Sequence, residues 1–129
     1  MSREAPTIGE ETSFEVEVTE EMLVELGGRR IHALYATVAM IKHMEEASRR
    51  LIEPYFREDE DATGYAVSIV HERPAHPGER LTVTAKVTRV NERDVETVAI
   101  VDGPAGRIGI GTITQRYIPA GLFSEGRAG

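Results

Sequence analysis

The 129-residue sequence contains no cysteine, so it forms no disulfide, carries no thiolate nucleophile and offers no sulfur ligand to a metal. Its reactive groups are therefore oxygen and nitrogen side chains. Lysine is scarce: of 15 basic residues only Lys42 and Lys86 are lysines, and the rest are arginine forks suited to phosphate or carboxylate. A formal net charge of −7 argues against a nucleic-acid binder, which needs a basic field to displace counterions. No apolar run approaches the roughly 18 residues that span a bilayer, and no basic-then-apolar leader opens the chain. The expectation is a soluble, cytoplasmic protein without nucleic-acid or membrane partners.

What is present suits one compact core, because domains are commonest at about 100 to 150 residues. Hydrophobic residues make up 40% of the chain, enough to offset the entropy of ordering it. Residues 1–12 are polar and Glu-rich and residues 120–129 are rich in small and polar residues, so both ends are expected to be loose around a domain spanning 13–119. Within it, SFEVEV alternates Phe14, Val16 and Val18 with polar residues as a half-buried strand does. Thr19 then resembles a helix cap, with a short helical segment stopping at Gly27 and Gly28.

From Ala36 the period lengthens. Thr37, Met40, Ile41, Met44, Ala47 and Leu51 recur at three- and four-residue steps until Pro54, which predicts one long helix. After the acidic turn REDEDATG come four strand-like runs, Tyr65 to Glu72, Arg80 to Val90, Asp94 to Asp102 and Arg107 to Ile118. Turn signals RPAHPG, NERD and DGPAG separate them. The order predicts an α+β fold in which an antiparallel sheet of about five strands wraps one central helix, with an exposed edge that favours dimers.

His71 ends a run whose alternate residues Tyr65, Val67 and Ile69 would face the helix, placing an imidazole at the rim of a dry core. It reads either as a strand-end histidine bonded to a turn or as a group that moves a proton. His76, Glu72 and Glu79 lie nearby, yet their spacing is not that of a recognised metal site and two prolines separate the imidazoles, so no metal is expected. His32 and His43 read as surface or packing residues. Glu45 borders the apolar stripe, where a carboxylate is either a solvated flank or a base made stronger by desolvation. Thr37 precedes it by eight positions, roughly 12 Å along a regular helix, so the two would touch only if Thr37 left the helix or both addressed a common ligand.

The blocks ATVAMIKHMEEA, GYAVSIVHERPAHPGERLTVTAKVTRV and IGIGTITQRYI resemble those of the fluoroacetyl-CoA thioesterase family, which has the hot-dog fold. The likeness extends over about Ser13 to Pro119, and its specific part is the spacing of Thr37, Glu45 and His71. By resemblance these three would be catalytic, Glu45 as nucleophile or as base on water, Thr37 positioning it or sharing the attack, and His71 assisting proton transfer. Gly64 and Arg116 match substrate-binding positions. The resemblance implies a CoA thioester substrate, no further cofactor, and a homodimer or a dimer of dimers with the site in a crevice between subunits. The segment VELGGRRIHALYA before Thr37 is shorter than the lid of the family's best-known member and lacks phenylalanine, so the resemblance does not extend to a fluoroacetyl pocket. Arg29, Arg30, Arg73 and Arg80 are available for CoA phosphates, none of them singled out.

Three functions follow: an acyl-CoA thioesterase for a short or unusual acyl group, a hot-dog hydratase or dehydratase using His71 and a carboxylate, and a non-catalytic acyl-CoA-binding module. Released thiol separates the first from the others, and enoyl-CoA absorbance tests the second.

Overall fold

Met40, Met44, Ala47 and Leu51 lie on one stripe at helical spacing, and the chain coils there into a single helix, α1 (Thr37–Ile52), whose stripe is fully buried. A 3-10 turn (Glu53–Tyr55) containing Pro54 follows, and the missing amide of that proline ends the regular coil. In the computed structural model, which describes residues 3–123, seven strands accompany the helix: β1 (Glu11–Glu17), β2 (Leu23–Leu26), β3 (Arg29–Tyr35), β4 (Glu60–His71), β5 (Arg80–Val90), β6 (Asp94–Gly103) and β7 (Gly106–Pro119).

Five of them form one antiparallel sheet in the order β1-β5-β6-β7-β4, which holds the helix against one face. Strict alternation supplies that face: Leu81, Val83, Ala85 and Val87 on β5, with Val95, Thr97, Ala99 and Val101 on β6, are all buried. The buried hydroxyls of Ser48 on α1 and Thr97 on β6 satisfy each other at 2.7 Å. Close approach of helix and sheet depends on Gly109, where a Cβ would press on the Met40 thioether and stand 3.0 Å from the Val70 carbonyl. No helix among the described residues is long and apolar enough to cross a membrane.

Three features depart from the sequence-based expectation. The segment after Thr19 makes only a three-residue 3-10 turn (Glu20–Met22), and Thr19 makes no side-chain cap. The chain then forms the β2–β3 hairpin, because Gly27 and Gly28 both adopt positive φ (60° and 79°), the signature of a tight turn whose twist matches its strands. The acidic segment before Tyr65 is not a free turn, since β4 begins at Glu60 and pairs with Pro119. The N-terminal segment is tied down: the Gly9 amide donates to the Val87 carbonyl and the Val87 amide to that of Glu10. The Arg3 guanidinium pairs with Glu60 at 2.5 Å and lies 3.3 Å over the Tyr117 ring. Of the expected C-terminal tail, residues 124–129 lie outside the described residues.

Because Met44 is wholly enclosed between helix and sheet, Met44→Ala is expected to cost about 2 to 5 kcal/mol. A shift of the urea midpoint at unchanged m-value measures it.

Candidate active site at the free edge of the sheet

Strand β4 has β7 on one side and no strand on the other among the described residues, and Thr37, Glu45, Gly64 and His71 lie along this seam between β4 and α1. Thr37 opens the helix, placed by the sharp corner at Ala36, which is extended (φ −76°, ψ 144°). His71 closes β4. Their side chains meet, with Thr37 Oγ1 2.8 Å from His71 Nδ1. The pair sits in a cleft of about 300 Å³ whose walls are Val24 and Leu34 of the hairpin, Tyr35, and the Glu72 to Pro74 turn. His71 Nε2 is buried and makes no hydrogen bond among the described residues. Burial pushes this imidazole below the ordinary histidine range, the Arg73 backbone acting in the opposite direction, so the ring is neutral near pH 7 and able to accept a proton.

Glu45 projects from the same flank of α1 two turns further on. Its carboxylate lies so close to the Gly64 backbone that a Cβ there would overlap Glu45 Oε2. Glycine at this position therefore gives the carboxylate room on the β4 surface. Gln115 of β7 fastens the same turn of helix, its Nε2 donating to the Glu45 carbonyl at 3.2 Å. Both Thr37 and Glu45 lie in regular helix, so they are roughly 12 Å apart along its axis and do not touch. The structure thus makes two pairs, Thr37 with His71 and Glu45 with Gly64, rather than one cluster within the chain.

Arg116 is held elsewhere. Gln115 points to the helix, so its neighbour on β7 points to the outer face, where the guanidinium grips Asp94 through two bonds of 2.7 and 3.0 Å. That pairing holds the Asp94 carboxyl below its ordinary range. A register shift between Gly64 and Ala66 makes Tyr65 the extra residue of a bulge. The Tyr65 ring accordingly stacks with Arg116 at 3.5 Å instead of sharing the face of Val67, Ile69 and His71. His76 approaches Glu79 (3.2 Å) while His71 binds Thr37, so the two imidazoles have separate partners. Among the described residues no group of three His, Asp or Glu side chains could hold a metal ion.

Sequence reasoning did not single out Tyr35, His43 or Gln115. The Tyr35 hydroxyl and His43 Nδ1 are 2.6 Å apart, both side chains are buried, and the Tyr35 ring also meets His71 edge to face. Gln115 could have been found, because it shares the alternate positions of Gly111 and Ile113 on the helix-facing side of β7. Tyr35 and His43 could not, since a pair joining strand to helix has no spacing of its own.

The buried His43 and the partly covered His71 predict a direction of pH dependence. In each, burial lowers the folded pKa below the unfolded value of about 6.5, so between these values the unfolded chain binds more protons. Their contribution is undiminished above about 6.5 and is lost as pH falls from there toward the folded pKa. Urea midpoints are expected to fall between pH 7.5 and 5.5, and NMR titration of the imidazoles should place His43 and His71 below the ordinary histidine value of about 6.5.

Comparison with known proteins agrees with this architecture. The chain matches the family model described as fluoroacetyl-CoA-specific thioesterase over residues 18–120. No curated protein matches the sequence. Among solved structures, a Thermus thermophilus hypothetical protein described as a thioesterase superfamily member is 35% identical, with a TM-score of 0.83, covering 88% of this chain and 84% of that one. The fluoroacetyl-CoA thioesterase FlK superposes with a TM-score of 0.83 at 24% identity over 90% of both chains. A hot-dog-like protein from Thermanaerovibrio acidaminovorans gives 0.82 at 19% identity, covering 89% of this chain and 85% of that one. A helix of 16 residues held by a five-stranded antiparallel sheet is the hot-dog fold, and with a family match spanning most of its length this chain belongs to the fluoroacetyl-CoA-specific thioesterase family of thioester hydrolases.

Proposed function

We propose that this thioester hydrolase acts on the CoA thioester of a short or unusual acyl group, with Thr37, Glu45 and His71 as its catalytic groups. The observation that carries the reading is the Thr37–His71 hydrogen bond in the mouth of the cleft. A neutral imidazole there accepts the proton of a hydroxyl or of water and returns it to the leaving sulfur. The Glu45 carboxylate takes a proton from the attacking water, or attacks the thioester carbon itself and forms an acyl anhydride that water then cleaves to the free acid and the restored carboxylate. In either course the carbonyl carbon gains an oxygen, the carbon–sulfur bond breaks, and CoA leaves as the thiol. A cleft of about 300 Å³ is at the small end of ligand pockets, which suits a short acyl group.

The two pairs lie too far apart to act on one carbonyl from a single chain, and a homodimer resolves this. Val67 and Val70 are exposed apolar side chains on β4, the strand with the free edge. Antiparallel pairing of β4 with its two-fold mate, centred between Val67 and Ser68, would set Gly64 of one copy opposite His71 of the partner subunit. Each site would then combine the Thr37–His71 pair of one copy with Glu45 of the partner subunit. Beyond His71 the cleft shares Glu72 and Arg73 with a surface depression that also includes Arg107. Among the described residues Arg73 has no ion-pair partner, which leaves its fork available to a CoA phosphate. The absence of cysteine fits cytoplasmic action.

Glu45→Gln and His71→Ala are each expected to lower kcat about 10²-fold, read from thiol release across a panel of acyl-CoAs. Full hydrolysis by either variant would exclude the assignment, and enoyl-CoA hydration without thiol release would favour the hydratase reading. Mixing the two inactive variants with subunit exchange should restore about a quarter of wild-type activity if the site is shared across a two-fold dimer, and none if each chain holds a whole site. Arg73→Ala is expected to raise KM about three- to tenfold at unchanged kcat, as loss of a partly exposed charged contact does.

A further inference from the structure

The corner that carries Thr37 has no local fastening of its own. Ala36 stands at the helix cap position and supplies no side-chain bond, so the first turn of α1 is held by contacts from outside it. Two are backbone bonds: the Ala36 amide donates to the Met22 carbonyl at 2.8 Å and the Tyr35 amide to the Ala75 carbonyl at 2.9 Å. The third joins side chains. Tyr35, the last residue of β3, places its hydroxyl 2.6 Å from Nδ1 of His43 in the second turn of α1, closing strand onto helix across the corner.

Burial determines how this bond is made. It raises the Tyr35 hydroxyl above the ordinary tyrosine range and lowers His43 below the ordinary histidine range, so near pH 7 the phenol keeps its proton and the imidazole is neutral. Tyr35 therefore donates, His43 Nδ1 accepts, and the imidazole proton resides on Nε2. The rings also lie nearly parallel, 12° apart with centroids at 5.8 Å, and Phe14 closes the far side of His43 edge-on. A tyrosine ring held at its tip by a buried hydrogen bond has little freedom to swing. The same ring meets His71 at 78°, centroid to centroid 6.2 Å, so it forms the wall on which the imidazole rests.

We propose that the buried Tyr35–His43 hydrogen bond is a positioning device for the Thr37–His71 pair, fixing both the corner from which the threonine hydroxyl projects and the wall that orients the imidazole. Tyr35 contributes ring surface to the cleft wall and His43 lies behind it, and both act through the groups that react. The inference rests on the hydrolase reading above for its kinetic consequence, but not for its structural one.

Three variants of the full chain test it. Tyr35→Phe keeps the ring and removes the donor, His43→Leu removes the acceptor, and His43→Asn returns an acceptor oxygen close to the place of Nδ1. Tyr35→Phe and His43→Leu are expected to lower kcat about 10- to 100-fold, with KM changed less than about twofold, because misplaced reacting groups slow chemistry more than binding. His43→Asn should recover most of the lost rate. In the substrate-free protein, the Nδ1 ¹⁵N resonance of His71 should move in the first two variants and stay in the third. Wild-type kcat and an unmoved His71 resonance in Tyr35→Phe would overturn the proposal, as would a His43→Asn variant as impaired as His43→Leu. If Tyr35→Phe fails to fold, the two His43 variants decide by the same comparison. A wild-type chain inert toward every CoA thioester would remove the hydrolase reading, while the His71 resonance would still decide the positioning role.

Discussion

Burial of one stripe of α1 against the antiparallel sheet is the constraint from which the rest of the molecule follows. Met40, Met44, Ala47 and Leu51 have nowhere else to leave water, and the sheet offers them a matching face of small and branched side chains on β5, β6 and β7. The helix can settle only where that face lets it approach, over Gly109 and with Ser48 against Thr97. Once its axis is set there, its first turn lies at the end of β4 and its third and fourth turns lie over the start of that strand. The proximity of Thr37 to His71, and of Glu45 to Gly64, is a consequence of core packing.

The stripe leaves the opposite arrangement on the flank of the helix. Residues of α1 facing β4 are only partly covered, because β4 is the last strand and has no neighbour beyond it among the described residues. An uncovered flank next to a free edge leaves apolar surface and strand amides open to water. In this chain Thr37, Glu45 and His71 stand along that flank, so the least covered side of the helix is the one that carries them. The bulge at Tyr65 belongs to the same economy of position: it turns a large aromatic to the outer face, where Arg116 and Asp94 hold it, and leaves Gly64 and Val67 on the face toward the helix.

Two histidines withdraw from water to different degrees. His43 is buried between the Tyr35 and Phe14 rings and finds its hydrogen-bond donor in Tyr35. His71 is only partly covered and shares its Nδ1 with a hydroxyl that faces the cleft. The first commits its Nδ1 to a buried phenol of the kind that makes a corner rigid, and the second keeps a buried Nε2 without a hydrogen bond among the described residues while its Nδ1 meets the Thr37 hydroxyl at the cleft. The contact of Tyr35 with both rings links a structural histidine to a chemically available one across a single side chain.

Much of this was legible in the sequence. The three- and four-residue recurrence from Met40 to Leu51 and the alternation along β5, β6 and β7 are local consequences of geometry, so the helix, the sheet and the α+β class could be read from them directly. Thr37, Glu45 and His71 stood out as a set through the resemblance to the thioesterase family, not through periodicity. What the tertiary structure alone decided were matters of three-dimensional neighbourhood. The pairing of Thr37 with His71 rather than Glu45, the bulge that moves Tyr65 off the face of His71, the outward aim of Arg116 and the bond between Tyr35 and His43 all join segments far apart in the chain or shift a strand by one residue. Periodicity records which side of its own element a residue occupies, because that depends on local backbone geometry. It carries no information about which residue of another element will stand opposite, because that depends on how whole surfaces pack.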